Sequence, residues 1–290
     1  LEPYGEVGAD GKQHQSQMTY TQQLDAAGFL PEWLVNSLVP ASLSSNEARH
    51  AFSRDAEIDK SENARLINIM QNSDDEIYSP DEIVSIQNVE ALAGIATPKL
   101  KPIESLCQHV AMKVSIVDGE KNNTGFGEVI VDASVEECAV LEFMNYSRRN
   151  VNDFYDKDGG VLKNIFKNNN HCFVNRSVYD IIPGFHHREF VWKVIWKRIS
   201  ADEVVVVYEP TELNVLWNFP IAAGKVVRAR SWTWVKYRRI PAFAGIPQTM
   251  VSYMTQIDLA GYVPVDLINK LLPSRLMYLD RVRLMLDRSL

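Results

Sequence analysis

Arg149 and Asp153 stand four residues apart in the run RRNVNDFYD, and His186 and His187 stand side by side. These are the pairs whose side-chain types suit them to chemistry. On a helix, Arg149 and Asp153 share a face and can pair, which makes them either a polar anchor for a bound group or an exposed pair of little weight. The two histidines sit in a stretch of strand character, where neighbouring side chains point to opposite faces. No second ligand pair stands near them, so no metal ligand is assigned. Cys107, Cys138 and Cys172 are odd in number and lack a metal-ligand spacing, which fits reduced thiols in a cytoplasmic protein. No Gly-x-Ser-x-Gly occurs, and Gly125-Phe126-Gly127 lacks the context of a phosphate loop. No catalytic residue and no cofactor follow from these motifs.

Trp192, Trp196, Trp232 and Trp234 are evenly spaced on strand patterns, which makes them sheet-face residues before it makes them platforms for bases. The chain holds 30 Lys and Arg against 37 Asp and Glu, and residues 1–100 hold six against 16 of these. A basic stripe for nucleic acid is absent, while the milder balance of the remainder is compatible with an anionic membrane surface. The longest apolar run falls far short of a membrane span.

The elements that must position these residues follow an α+β plan. Ser79, Pro80, Asp81 and Glu82 open a helix, and Ser134 with Glu137 forms a capping box that opens a second. A third, short helix covers Arg148 to Tyr155. Strands are expected at 110–117, 126–131, 161–167, 171–180, 187–199, 203–209, 225–237 and 249–257, before a long C-terminal amphipathic helix begun at Pro264. On 225–237, Val227, Ala229, Ser231 and Thr233 share one face of small side chains. They either line a cavity or lie under the helix; Trp232 and Trp234 belong to the opposite face, which is expected to meet solvent.

One stretch is written twice. Gln23–Pro40 and Gln256–Pro273 match at nine of eighteen positions, among them Asp25/Asp258, Gly28/Gly261 and Pro31/Pro264. The constant offset of 233 residues is the size of a domain. With the polar break at Asn72 to Glu76, this divides the chain into 1–72, the tail of a preceding similar domain plus a linker, and 73–290, a complete domain. The start at Leu1 in mid-pattern suggests a piece of a longer protein.

The C-terminal Asp-x-x-Gly-Tyr-x-Pro turn and helix, Arg188-Glu189-Phe190 followed by a strand ending Lys197-Arg198, and Val227-Arg228-Ala229 together resemble START domains, the lipid-transfer modules related to the steroidogenic acute regulatory protein. The resemblance covers about 79–290 in full and 1–58 as a partial copy. It implies a helix-grip fold, a curved antiparallel sheet closed over a cavity by a long C-terminal helix. It further implies a non-enzymatic protein that binds a single lipid and meets the membrane surface transiently. Ile268, Leu271 and Leu272 would line the cavity from the helix, and Arg149 and Asp153 would contact a head group as in phospholipid and ceramide carriers. Val194 stands where sterol carriers have an arginine, with no acid near Asn175, so a phospholipid or ceramide-like ligand is favoured over sterol. Ile182 and Phe185 in one loop and Phe243 in another would face the membrane, with Pro273 as a hinge. A lipid-gated regulatory module and a cavity-fold hydrolase or cyclase are the alternatives. Nothing in the sequence indicates an oligomeric state.

Overall fold

The computed structural model describes residues 2–3, 16–17, 59–73, 76–105, 107–116, 123–181, 185–212 and 225–288, with backbone alone at 116 and 265–270. The chain divides into two compact units, 1–58 and 59–290. In the smaller, an antiparallel pair of two-residue strands is described, β1 (Glu2–Pro3) and β2 (Ser16–Gln17). The N-terminal copy Gln23–Pro40 lies outside the described residues.

The larger unit contains a helix, α1, at 59–71. A domain boundary after 72 would leave this helix with the first part. Leu66 and Met70, one turn apart on one face, are instead fully buried in the core of the larger unit. The Arg65 guanidinium also donates to Asn170 Oδ1 at 3.0 Å. Apolar burial decides where the helix belongs, and the polar break at Asn72 to Glu76 falls inside the unit.

Helix α2 (Pro80–Ala96) starts where its cap dictates. Ser79 Oγ accepts from the Glu82 N–H, and the Glu82 carboxylate accepts from the Ser79 N–H at 2.7 Å. The same carboxylate takes Asn169 Nδ2 at 3.0 Å and lies 3.3 Å from His171 Nε2, while His171 Nδ1 lies 2.6 Å from Glu76 Oε2. Burial alone would raise the Glu82 carboxyl; the bonds from Ser79, Asn169 and His171 outweigh it and hold the group down at about 2. A folded value below the ordinary 4.5 gives stability that is present above 4.5 and lost as the pH falls towards 2. Wild type is therefore expected to exceed Glu82→Gln by about 3 kcal/mol at pH 6, the gap narrowing by about 1.4 kcal/mol per pH unit below the usual carboxylate value. Urea unfolding of both proteins between pH 6 and 3 measures it, and parallel curves would refute it.

The large curved sheet is antiparallel along its main path and is not closed into a barrel. Its strands are β3 (Lys101–Pro102), β4 (Ala111–Ile116), β5 (Asn123–Val131), β6 (Gly160–Lys167), β7 (Cys172–Tyr179), β8 (His187–Ser200), β9 (Glu203–Pro210), β10 (Val226–Arg228), β11 (Arg230–Phe243) and β12 (Ile246–Asp258). Their spatial order is β3-β4-β5-β12-β11-β9-β8-β7-β6, with β10 parallel to the start of β8. Between β5 and β6 the chain forms α3 (Val135–Phe143), capped by Ser134 and Glu137, and α4 (Arg148–Asp156).

Both faces of the sheet are covered. On the inner face, α3 packs in one core with Phe190, Trp192, Val194 and Trp196 of β8 and with Val204, Val206 and Tyr208 of β9. On the outer face, Ile86, Val89 and Ala93 of α2 meet Ile195, Val207, Trp232 and Trp234. The outer face of β11 was expected to meet solvent; α2 shields Trp232 and Trp234 because two indoles side by side are too much apolar surface to leave wet.

The chain leaves β12 through a turn in which the Ala260 N–H donates to Asp258 Oδ1 at 2.8 Å, with positive φ at Ala260 (52°) and Gly261 (66°). In place of one long helix, two follow, α5 (Val265–Leu276) and α6 (Tyr278–Met285). Proline has no N–H for the carbonyl one turn back, so Pro273 weakens the helix it sits in. The interruption falls a turn later, at Met277, whose N–H donates to the Pro273 carbonyl at 3.3 Å. These helices lie close on β5. A Cβ at Gly125 would come within 3.1 Å of Leu272 Cδ2, and one at Gly127 within 2.7 Å of Leu279 Cδ1. The Gly-Phe-Gly run is thus a seat for the C-terminal helices.

Candidate functional site

Between the inner face of the sheet, α4 and the C-terminal helices lies a cavity of about 300 Å³. It shares Asp158, Tyr179, Ile257, Ser274 and Arg275 with a second cavity of about 380 Å³ towards the start of β8. The second is the apolar one, walled by Ile181, Phe190, Leu259, Leu271 and Leu272.

The inner cavity has a polar floor built by four elements. Glu142 lies on the buried side of α3, in helical register with Val135, Cys138 and Ala139. Tyr208 of β9 donates to its Oε1 at 2.5 Å, and Tyr278 of α6 donates to its Oε2 at 2.5 Å. Both are short for O–H···O bonds. Burial raises the Glu142 carboxyl above its ordinary value, and the two phenol bonds oppose this only in part. Burial, reinforced by the Glu142 charge, pushes both phenols well up, so they keep their protons and act as donors. Lys163 reaches in from β6, donating from Nζ to the Asn145 carbonyl at 2.7 Å. Its ammonium is pushed down to about 8 by burial, against the pull of Asp158 and Glu142. Asn145 Oδ1, also in the lining, is a buried acceptor with no donor among the described residues.

The residues singled out in the sequence fall around this cavity unevenly. Ser231 and Thr233 are buried on the inner face of β11 and line the cavity. Ala229 is buried beside them, its N–H donating to the Glu189 carbonyl at 2.9 Å, and Val227 is half-buried in β10. Leu271 and Leu272 wall the apolar cavity, and the Ile268 side chain lies outside the described residues. Asp153 lines the inner cavity, but its ion-pair partner is Lys157, at 2.6 Å. Arg149 is exposed on α4 and is not part of the lining. Both cations are four residues from Asp153, and it is the C-terminal one that pairs. Asn175 faces the inner cavity and Val194 is fully buried in the core.

Ile182 lies outside the described residues. Phe185 (41% exposed) precedes β8 at the apolar-cavity end of the sheet, and Phe243 (71% exposed) sits at the tip of the β11–β12 hairpin. β10 and the start of β11 lie at the Phe185 end, so the 14 residues of β11 separate the two rings by roughly 40 Å along the strand. The two rings therefore lie at opposite ends of β11.

Burial pushes the Cys138 and Cys172 thiols up to about 12, which makes both poor nucleophiles. His186 is exposed, His187 is half-buried, and no group of three metal-ligating side chains occurs among the described residues. No described helix is long and apolar enough to cross a membrane. Glu142, Tyr208, Tyr278 and Lys163 were not anticipated. The one available signal was Glu142 itself, an acid at a position that the helical spacing of α3 assigns to the apolar face.

A curved sheet gripping C-terminal helices over a cavity defines the helix-grip class. Among solved structures the fold is that of START domains. Human StAR-related lipid transfer protein 5 is 18% identical with a TM-score of 0.55, over 70% of this chain and 96% of that one. Human STARD10 is 15% identical with a TM-score of 0.52, over 72% and 81%. The lipid transfer and protein localization domain of human StarD13 is 17% identical with a TM-score of 0.50, over 73% and 100%. No family model matches the sequence, and no curated protein does.

Proposed function

We propose that this chain binds one amphipathic lipid and carries it between membranes without turning it over. The observation that supports this most is the pairing of a polar floor at Glu142, Tyr208, Tyr278 and Lys163 with an apolar cavity walled by Leu259, Leu271 and Leu272. A ligand with a polar head and a hydrocarbon tail satisfies both halves; apolar burial drives it in and the buried polar groups fix its direction. The solved START proteins of the same fold are named for lipid transfer, which agrees. Ser231, Thr233 and Asp153 would extend the polar contact, and Arg149 would act at the rim. A phospholipid or ceramide-like ligand is favoured over sterol, because Val194 is packed in the core where sterol carriers have an arginine. The Phe185 loop is the membrane-facing element beside the apolar cavity, and Phe243 would make a separate contact at the far pole. On the strength of its nine identities, 1–58 would be the tail of a second domain of this kind.

Extraction of fluorescent phosphatidylcholine or ceramide from donor vesicles, with native mass spectrometry of the complex, tests the reading. Stoichiometric extraction and delivery are expected, and Phe185→Ser should slow exchange several-fold with little change in stability. Binding without delivery would make the chain a lipid sensor, and no binding of any lipid would overturn the proposal.

A further inference from the structure

The geometry points to Lys163 as a nucleophile that captures carbonyl-bearing ligands as a reversible imine inside the cavity. This rests on the cavity being the ligand site, but on no particular lipid. A lysine drawn inside normally comes with a carboxylate, because an unpaired buried ammonium is costly. Among the described residues Lys163 makes no ion pair; it holds the Asn145 carbonyl and lies 5.1 Å from the centroid of the Phe154 ring. The Asn145 carbonyl does not demand a charge, since a neutral amine can donate the same hydrogen bond; the Phe154 face, with Asp158 and Glu142 nearby, favours the ammonium, and burial outweighs them. Burial moves the ammonium down to about 8, so an appreciable share of the amine is unprotonated near neutral pH.

The remaining parts needed for imine formation are present. The Nζ lone pair forms the N–C bond to the carbonyl carbon, Nζ gives up one proton and the carbonyl oxygen takes one, leaving a carbinolamine. The C–O bond then breaks, the hydroxyl leaves as water with a second proton, and the nitrogen lone pair closes the C=N bond of a protonated imine. No oxidant or reductant is consumed. The proton for the departing hydroxyl comes through the Tyr208–Glu142–Tyr278 cluster, whose two phenols keep their O–H protons and whose carboxyl burial shifts towards the protonated form. Ligands of this class are amphipathic aldehydes and ketones, with the carbonyl at the polar floor and the chain against Leu271 and Leu272.

The test incubates the whole chain with dodecanal and sodium cyanoborohydride, which reduces the imine to a stable amine, and maps the adduct by peptide mass spectrometry. Lys163 is expected to be labelled roughly ten-fold or more faster than the exposed Lys101 and Lys225, because more of it is neutral. Its rate should rise with pH through about 8, where the exposed lysines are still charged. Lys163→Met, checked for an unchanged melting transition, should lose that adduct alone, and Glu142→Gln should slow it. Labelling spread over the lysines in proportion to exposure, or unchanged total labelling in a folded Lys163→Met protein, would overturn the inference. Lipid extraction with no Lys163 adduct would sink this inference and leave the carrier reading standing. An adduct with no lipid extraction would do the reverse.

Discussion

Glu142→Gln is expected to make the protein more stable at pH 7 and to weaken ligand retention. The sign follows from the direction of the carboxyl's displacement. Burial raises Glu142 in the folded state, so folding disfavours the ionised form, and that penalty grows as the pH rises above the ordinary carboxylate value. Glutamine removes the charge and keeps an acceptor for one phenol and a donor to the other. The gain is read as a rise in melting temperature at pH 7. It should vanish below about pH 4, where both proteins are neutral at this position. Glu142→Leu should do the opposite, since it leaves the Tyr208 and Tyr278 hydroxyls buried without a partner, at about 1–3 kcal/mol each. Ligand retention should fall about ten-fold or more in either variant, the worth of a hydrogen bond to a charged group. Thermal melts at pH 7 and pH 4, with extraction assays on the same samples, separate the two effects. A destabilised Gln variant would show that the carboxylate serves the fold instead of the ligand.

Removing residues 1–58 should leave the remaining unit folded, whereas removing 1–72 should unfold it. The two deletions differ by α1, which brings Leu66 and Met70, both fully buried, into the main core. Each large side chain lost from a core costs about 2–5 kcal/mol. The second deletion therefore removes most of the 5–15 kcal/mol that a domain has. Circular dichroism and denaturant melts of both truncated proteins decide the matter. A cooperative transition in the shorter protein would mean that the core closes without α1.

Features set by neighbours in sequence could be read without coordinates. Ser79 with Glu82 and Ser134 with Glu137 mark helix starts because both partners of each box lie within one turn. The alternation of Ala229, Ser231 and Thr233 with Arg230, Trp232 and Trp234 fixes the inner and outer faces of β11 because the strand period is two. Sheet order was reachable only through the resemblance, since no local rule sets β12 between β5 and β11. The polar floor was out of reach for the same reason. Its partners are 66 and 136 residues from Glu142 along the chain, and only folding brings them together. A four-residue spacing permits a pair without choosing between neighbours: Arg149 and Lys157 stand at the same distance on either side of Asp153, and Lys157 makes the pair. The cover over Trp232 and Trp234 likewise comes from a helix far away in the chain.

The two glycines of β5 have a consequence for how the molecule can breathe. With Leu272 and Leu279 seated where side chains would otherwise stand, the C-terminal helices rest on β5 like covers on the spine of a book. That edge has no slack, so any widening of the cavity must come from the opposite, fore edge. There Arg281 of α6 meets Asp158, after α4, at 3.1 Å, a half-exposed contact that clasps the covers shut. A solvent-wetted ion pair contributes little to holding them, so the clasp is the weak side and the glycine spine the strong one. A bulky ligand would therefore part the molecule between α6 and the end of α4, turning about β5.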